Sequence, residues 1–243
     1  MSEVVLVDAH CHVSEYSVEE IRSFGNIRIA GVAMDLESSK ATLELSRQSK
    51  NIDPFIGLHP WNLHKKNGEL KGIKELAAHG GVAGLGEVGV DLRYARAPLK
   101  EQLKIFNELC ELATERGYPL NVHALGAWED VVKSCIRVGV KSLLLHWYTG
   151  PIELLKDIKD ANYFISINPS VIIQQKHMKI LQEADMDIIL TESDGPYSYR
   201  GLNLSPKSLG NLLKTIASVK KLSVEEASEI VYANYLRFLR APR

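Results

Sequence analysis

The chain has 243 residues, of which 45% are hydrophobic and 24% charged, and its 29 Lys+Arg against 30 Asp+Glu leave a net charge of −1. That composition is ordinary for a soluble globular protein, and near-neutrality excludes a protein that coats nucleic acid through a global positive field, so any polyanion must be met by a local cluster. No apolar run of about 18 residues occurs, and the opening Met1-Ser2-Glu3 lacks the lysines and long apolar stretch of a signal peptide, so a cytoplasmic protein with no membrane partner is expected.

The apolar pattern begins with a β-branched run at 4–9, followed by Ser17-Val18-Glu19-Glu20, whose Ser-x-x-Glu form opens a helix. The same strand-then-helix alternation recurs as 28–34 with 36–48, 54–58 with 70–79, 82–85 with 98–116, and 119–122 with 127–138. Three more units follow at 141–145 with 152–160, 163–167 with 174–184, and 187–190 with 206–219. Ser223-Val224-Glu225-Glu226 then caps a last helix ending near Phe238. Apolar strands without clean alternation are buried on both faces, and eight such units predict a (β/α)8 TIM barrel occupying 1–243 as a single domain. A doubly wound dinucleotide fold would show a Gly-rich first turn, and here that turn reads His10-Cys11-His12. Cys11, Cys110 and Cys135 form no CxxC pair and read as reduced, small core residues.

Polar groups end the apolar strands. His10 and His12 stand two apart and so share a face, Glu87 ends the fourth strand, His123 the fifth, His146 the sixth and Asp194 the eighth. In a barrel these ends lie on one rim, where this fold carries its active sites. Four imidazoles and two carboxylates exceed the needs of one tetrahedral zinc, whereas two ions about 3.5–4 Å apart with a bridging carboxylate use them all. A set of satisfied buried polar residues is the alternative, and unpaired charge at the end of an apolar strand is costly.

These segments resemble one family. His10-x-His12, Gly57-Leu58-His59-Pro60, Gly86-Glu87-Val88-Gly89-Val90-Asp91, the strand-end histidines His123 and His146, and Thr191-Glu192-Ser193-Asp194-Gly195-Pro196 are similar, in order and across nearly the whole chain, to the TatD family of metal-dependent hydrolases. The resemblance implies a deoxyribonuclease of 3′-to-5′ exonuclease type on a dinuclear centre. His10, His12 and Asp194 would hold the first ion, His123 and His146 the second, and Glu87 would bridge them. Asp194 would also move the proton of the attacking water, and His59 would meet substrate phosphate. Nitrogen and oxygen ligands suit zinc or manganese, while the family's activity implies magnesium.

There are departures from the family pattern. An arginine common two residues after the strand-five histidine is Leu125 here, and a basic late loop is reduced to Arg200-Gly201-Leu202-Asn203. Tyr148 or Trp147 is a candidate to stack a base, although aromatics after a strand end more often serve packing, and Lys65, Lys66, Arg93, Arg96 and Arg200 are expected on rim loops, either as a local phosphate patch or singly as solvated charges. Asp91 either orients a ligand histidine or caps its own loop, and Glu192 shares the face of Asp194. The substrate is expected to be a nucleic-acid strand end or a small phosphoester. Two alternatives remain at this level: hydrolysis of a lactone or cyclic amide on the same centre, and a metal-binding scaffold without activity.

Overall fold

Ser17 caps the first helix as its spacing predicts: its hydroxyl accepts the Glu20 N–H at 3.2 Å, and the Glu20 carboxylate accepts the Ser17 N–H at 2.8 Å. Ser223 and Glu226 repeat this reciprocal cap on the last helix, and Asp35 and Ser38 on the second. The computed structural model describes residues 4–64 and 68–240.

Strands β1 (Val7–Cys11), β2 (Arg28–Gly31), β3 (Ile52–Ile56), β4 (Gly84–Gly89), β5 (Leu120–His123), β6 (Leu143–Leu145), β7 (Phe164–Ile167) and β8 (Ile189–Thr191) pair in parallel, each with the next in sequence. Between them run α1 (Val18–Ser23), α2 (Leu36–Gln48), α3 (Glu69–Ala78), α4 (Leu99–Arg116), α5 (Trp128–Val138), α6 (Leu154–Asp160) and α7 (Gln175–Glu183). The sheet curls until β8 meets β1. There the Thr191 hydroxyl donates to the Val7 carbonyl at 2.6 Å, the Asp194 N–H to His10 O at 2.9 Å and the His12 N–H to Gly195 O at 2.8 Å. The result is a nearly closed eight-stranded barrel, the TIM architecture that the alternation predicts.

Two strands lie further along the chain than the apolar runs alone indicate. β1 covers Val7–Cys11 rather than 4–9, and β4 covers Gly84–Gly89 rather than 82–85. Both shifts draw a polar side chain, His10 and Glu87, into the ladder itself. Strand propensity disfavours such residues, and burial against cross-barrel partners overrides it. Glycines make the close approach possible: a Cβ on Gly57 would stand 2.6 Å from the Gly86–Glu87 backbone, and one on Gly89, at φ +144°, would stand 1.8 Å from His123 O.

After β8 the chain forms a hairpin, β9 (Tyr197–Tyr199) and β10 (Leu202–Leu204), where the sequence reading places only a loop. Its turn residues Arg200 and Gly201 take φ of +47° and +85°, the positive pair that a tight hairpin turn requires. The last helices, α8 (Leu209–Lys220) and α9 (Val224–Leu239), follow. Phe238 of α9 stacks on Phe55, contacts Phe164 at the start of β7, and accepts the Ser142 hydroxyl through its carbonyl. The Tyr235 hydroxyl donates to Asp53, which also pairs with Arg28. Helix α9 therefore closes the N-terminal end of the barrel and leaves chemistry to the opposite end. Among the described residues no helix is long and apolar enough to cross a membrane.

His177 on α7 is buried with Nε2 unpartnered, and burial pushes its pKa down to about 4. Its folded value lies below the unfolded one, so it has no effect above pH 6.5 and destabilises the fold progressively as pH falls from 6.5 toward 4. The cost at pH 4 is about 3 kcal/mol. His177→Leu is expected to flatten denaturant midpoints across that window, and an unchanged pH dependence would contradict the assignment.

Candidate metal centre

Glu87 is the hinge of the site. Its carboxylate is 2% exposed and its two oxygens face different imidazoles. Oε1 lies 2.9 Å from His123 Nδ1 and 2.9 Å from His146 Nε2. Oε2 lies 3.6 Å from the Nε2 atoms of both His10 and His12, and these two nitrogens are each 3.5 Å from Asp194 Oδ1. The barrel thus brings together all six residues of the sequence-predicted ligand set, from β1, β4, β5 and the segments just after β1, β6 and β8. His10, His12 and Asp194 form one group close enough to share an ion, His10, Glu87 and His146 a second, and His59, Glu87 and His123 a third.

Hydrogen bonds decide which ring nitrogens are free to ligate. Asn121 Nδ2 donates to the Ala9 carbonyl at 2.7 Å, which turns Oδ1 toward His10 Nδ1, also at 2.7 Å. An amide oxygen only accepts, so His10 Nδ1 carries hydrogen and Nε2 presents its lone pair to the two carboxylates. That Nε2 is buried without a hydrogen-bond partner, the signature of a ligand atom. His123 is turned the other way: Nε2 meets Asp91 Oδ2 at 3.1 Å, freeing Nδ1 for the centre. His59 is fixed in the opposite sense, because Nδ1 accepts the Trp61 N–H at 3.2 Å. Its hydrogen then lies on Nε2, 3.2 Å from Glu87 Oε1, which makes His59 a donor to that carboxylate and not a ligand.

The charge balance matches. Burial opposes a charge on His10, yet Glu87, Asp194 and Glu192 push its pKa up to about 10, and Asp91 and Glu87 similarly overcome burial to bring His123 up to about 9. Burial together with the neighbouring His10 pushes His146 down to about 4. Burial would raise Glu87 and Asp194 as well, but the surrounding imidazoles hold Glu87 well below the usual carboxylate range and lower Asp194. Carboxylates that draw protons onto buried imidazoles form a pocket in need of cations.

Two outer partners are those the sequence suggests. Asp91 both orients His123 and caps its own loop, accepting the Arg93 and Tyr94 N–H groups at 2.7 and 2.8 Å and the Trp61 indole N–H at 2.6 Å. Burial alone would raise its pKa, and these bonds hold it well below the usual range instead. Glu192 is fully buried, accepts the Ser166 hydroxyl and the Trp147 N–H, and stands 3.9 Å from His146 Nδ1; burial pushes its pKa up to about 8.

Tyr148 departs from expectation. Its ring is fully buried against Trp128 and its hydroxyl donates to the Pro151 carbonyl at 2.6 Å, so it is a core residue that no base can reach. Arg93 and Arg200 are exposed on rim loops, the Arg200 guanidinium lying over the Tyr199 ring at 5.4 Å. Arg96 is likewise exposed, and Lys65 and Lys66 lie outside the described residues.

Asn121 carries no ligand signal of its own. Its place two residues before His123, on the same strand face, is the only hint in the sequence that it points into the site. Asn121→Ala is expected to weaken divalent-metal affinity about 10–100-fold, read by chelator competition on the folded variant, and to lower Tm as well because the buried Ala9 carbonyl loses its donor. Unchanged affinity would remove Asn121 from the site.

The model of the TatD related DNase family matches residues 7–240. The chain belongs to that family. An uncharacterized metal-dependent hydrolase of Methanocaldococcus jannaschii is 28% identical, over 99% of both chains. The deoxyribonuclease TATDN3 of Homo sapiens is 26% identical, over 96% of this chain and 94% of its own. Among solved structures, the TatD homologue YJJV of Escherichia coli superposes with a TM-score of 0.88 at 18% identity, covering 98% of each chain, a likeness of fold.

Proposed function

We propose that this TatD-family chain is a divalent-metal-dependent phosphodiesterase acting on a nucleic-acid strand end; the deoxyribonuclease name of its human relative supports the nucleic-acid part of that reading. The observation that carries the reading is Glu87, whose two oxygens face His123 and His146 on one side and His10 and His12 on the other. His10, His12 and Asp194 would hold one ion and His123 and His146 the other, with Glu87 between them; magnesium, manganese and zinc are the candidates. Divalent ions held there lower the pKa of a water and take up charge growing on the phosphate.

The side chains supply the rest. The Asp194 carboxylate, 13% exposed at the mouth, takes the proton of the attacking water and returns it to the leaving oxygen. His59 holds Glu87 through its Nε2–H and stays uncharged because burial lowers its pKa; with Nδ1 accepting the Trp61 N–H it has no hydrogen left to offer a phosphate, so it positions Glu87 in place of the phosphate contact that the resemblance implies. Arg93 and Arg200 meet more distant phosphates as exposed cations. A chain of net charge −1 lacks the field to wrap a duplex, and seating one terminal phosphodiester needs no such field.

A second reading, hydrolysis of a small phosphoester, lactone or cyclic amide on the same residues, is favoured by Leu125, which stands where the family commonly carries an arginine. Single-stranded DNA, RNA, a chromogenic phosphodiester and a lactone, each assayed with manganese, separate the two. Terminal nucleotide release from DNA or RNA is expected. Turnover confined to the lactone would overturn the phosphodiesterase reading, and no turnover of any substrate with metal bound would favour an inactive scaffold.

A further inference from the structure

Nine large hydrophobic side chains are exposed among the described residues, and six of them, Trp61, Leu92, Tyr94, Ile172, Ile173 and, at the start of the β9–β10 hairpin, Tyr197, lie on the segments that follow β3, β4, β7 and β8. Those segments belong to one end of the barrel, the end that holds the histidine cluster. Single exposed apolar residues need no explanation, but their concentration around one site marks a binding surface.

Trp61 differs from the others in being held in place. Its indole N–H donates to Asp91 Oδ2 at 2.6 Å, and its backbone N–H donates to His59 Nδ1 at 3.2 Å. Its ring meets His59 edge-on at 4.8 Å, Tyr94 at 6.1 Å and His123 at 6.2 Å between centroids. Despite these ties the residue is 41% exposed, and Tyr94 beside it 67%. A large aromatic side chain that is held by two hydrogen bonds and still 41% exposed is a preorganised surface for another flat ring, because little side-chain freedom remains to be lost on binding.

We propose that Trp61, flanked by Tyr94, is the stacking platform for an unpaired terminal nucleobase. The inference rests on the phosphodiesterase reading for its choice of a nucleotide: a phosphate among the histidines has its own base within reach of an indole only one ring beyond His59. Every nucleobase offers a π-face, so the platform selects for an unstacked base and tolerates any sequence, whereas a base paired in a duplex has no free face to offer. Single-strand preference would then come from Trp61 and not from the net charge. The stacking role expected of Tyr148 passes to this exposed ring.

The test is binding, so that it stands apart from catalysis. A fluorescein-labelled thymidine pentanucleotide with phosphorothioate linkages, and the same probe abasic at both terminal positions, are titrated with the protein as purified and followed by anisotropy. The base-bearing probe is expected to bind about 5–150-fold more tightly, the range given by about 1–3 kcal/mol per stacked base. Trp61→Ala should erase that preference while leaving affinity for the abasic probe unchanged, and Trp61→Phe, which keeps a ring but loses the bond to Asp91, should retain most of it. No preference in the native protein, or an undiminished one in Trp61→Ala, would overturn the proposal. Base preference without cleavage of any oligonucleotide would instead sink the phosphodiesterase reading and leave the platform standing.

Discussion

Asp194→Asn is expected to reduce turnover by about 100- to 10,000-fold, the range lost when a positioned proton-transfer group is removed, with the fold intact. Asp194 sits at φ +55°, a left-handed conformation that Asn adopts as readily as Asp, and its N–H bond to His10 O does not depend on the side chain. The substitution therefore removes the carboxylate and leaves the backbone at the barrel seam undisturbed. Metal should remain bound at the group formed by His123, His146 and Glu87, which does not include Asp194. The measurement is kcat together with metal content and Tm, and near-normal turnover would contradict the role given to Asp194.

Glu87→Gln should be the more damaging change. One oxygen of the amide can still accept, but its NH2 would face either the His123 and His146 nitrogens or the lone pairs of His10 and His12. No rotamer serves both sides, because each oxygen of Glu87 is used by a different pair of imidazoles. Metal content is expected to fall below one ion per chain, with a loss of affinity exceeding the roughly 10–100-fold that an outer-shell partner costs. The native stoichiometry in Glu87→Gln, read by inductively coupled plasma spectrometry after dialysis, would exclude a bridging role.

The barrel is legible in the sequence because short, largely apolar runs alternate with amphipathic helical stretches eight times, and a few helices, as at Ser17, carry their own start signal. The six polar residues that converge at the rim are legible for the same reason, since each interrupts or ends such a run. What escapes the sequence depends on contacts across the barrel. Asn121 matters because the Ala9 carbonyl, more than a hundred residues away, orients its amide toward His10, and no local pattern reports that. Trp61 reads as one more residue after Gly-Leu-His-Pro until Asp91 is found to hold its indole.

Tyr148 and the β9–β10 hairpin are different misreadings. An aromatic following a strand-end histidine suggests a rim residue, but the chain turns at Trp147, at φ +43°, and sends the next ring into the core. The hairpin carries a local signal, the alternating Tyr197-Ser198-Tyr199 and Leu202-Asn203-Leu204 around Arg200-Gly201.

Six side chains on one barrel rim are proposed to hold two divalent ions around Glu87. This arrangement is tested most directly by counting metal per chain in the native protein and locating the ions by anomalous diffraction. Two ions are expected, one among His10, His12 and Asp194 and one beside His123 and His146, with Glu87 between them. A single ion, or none after incubation with manganese or zinc, would rule out a dinuclear centre.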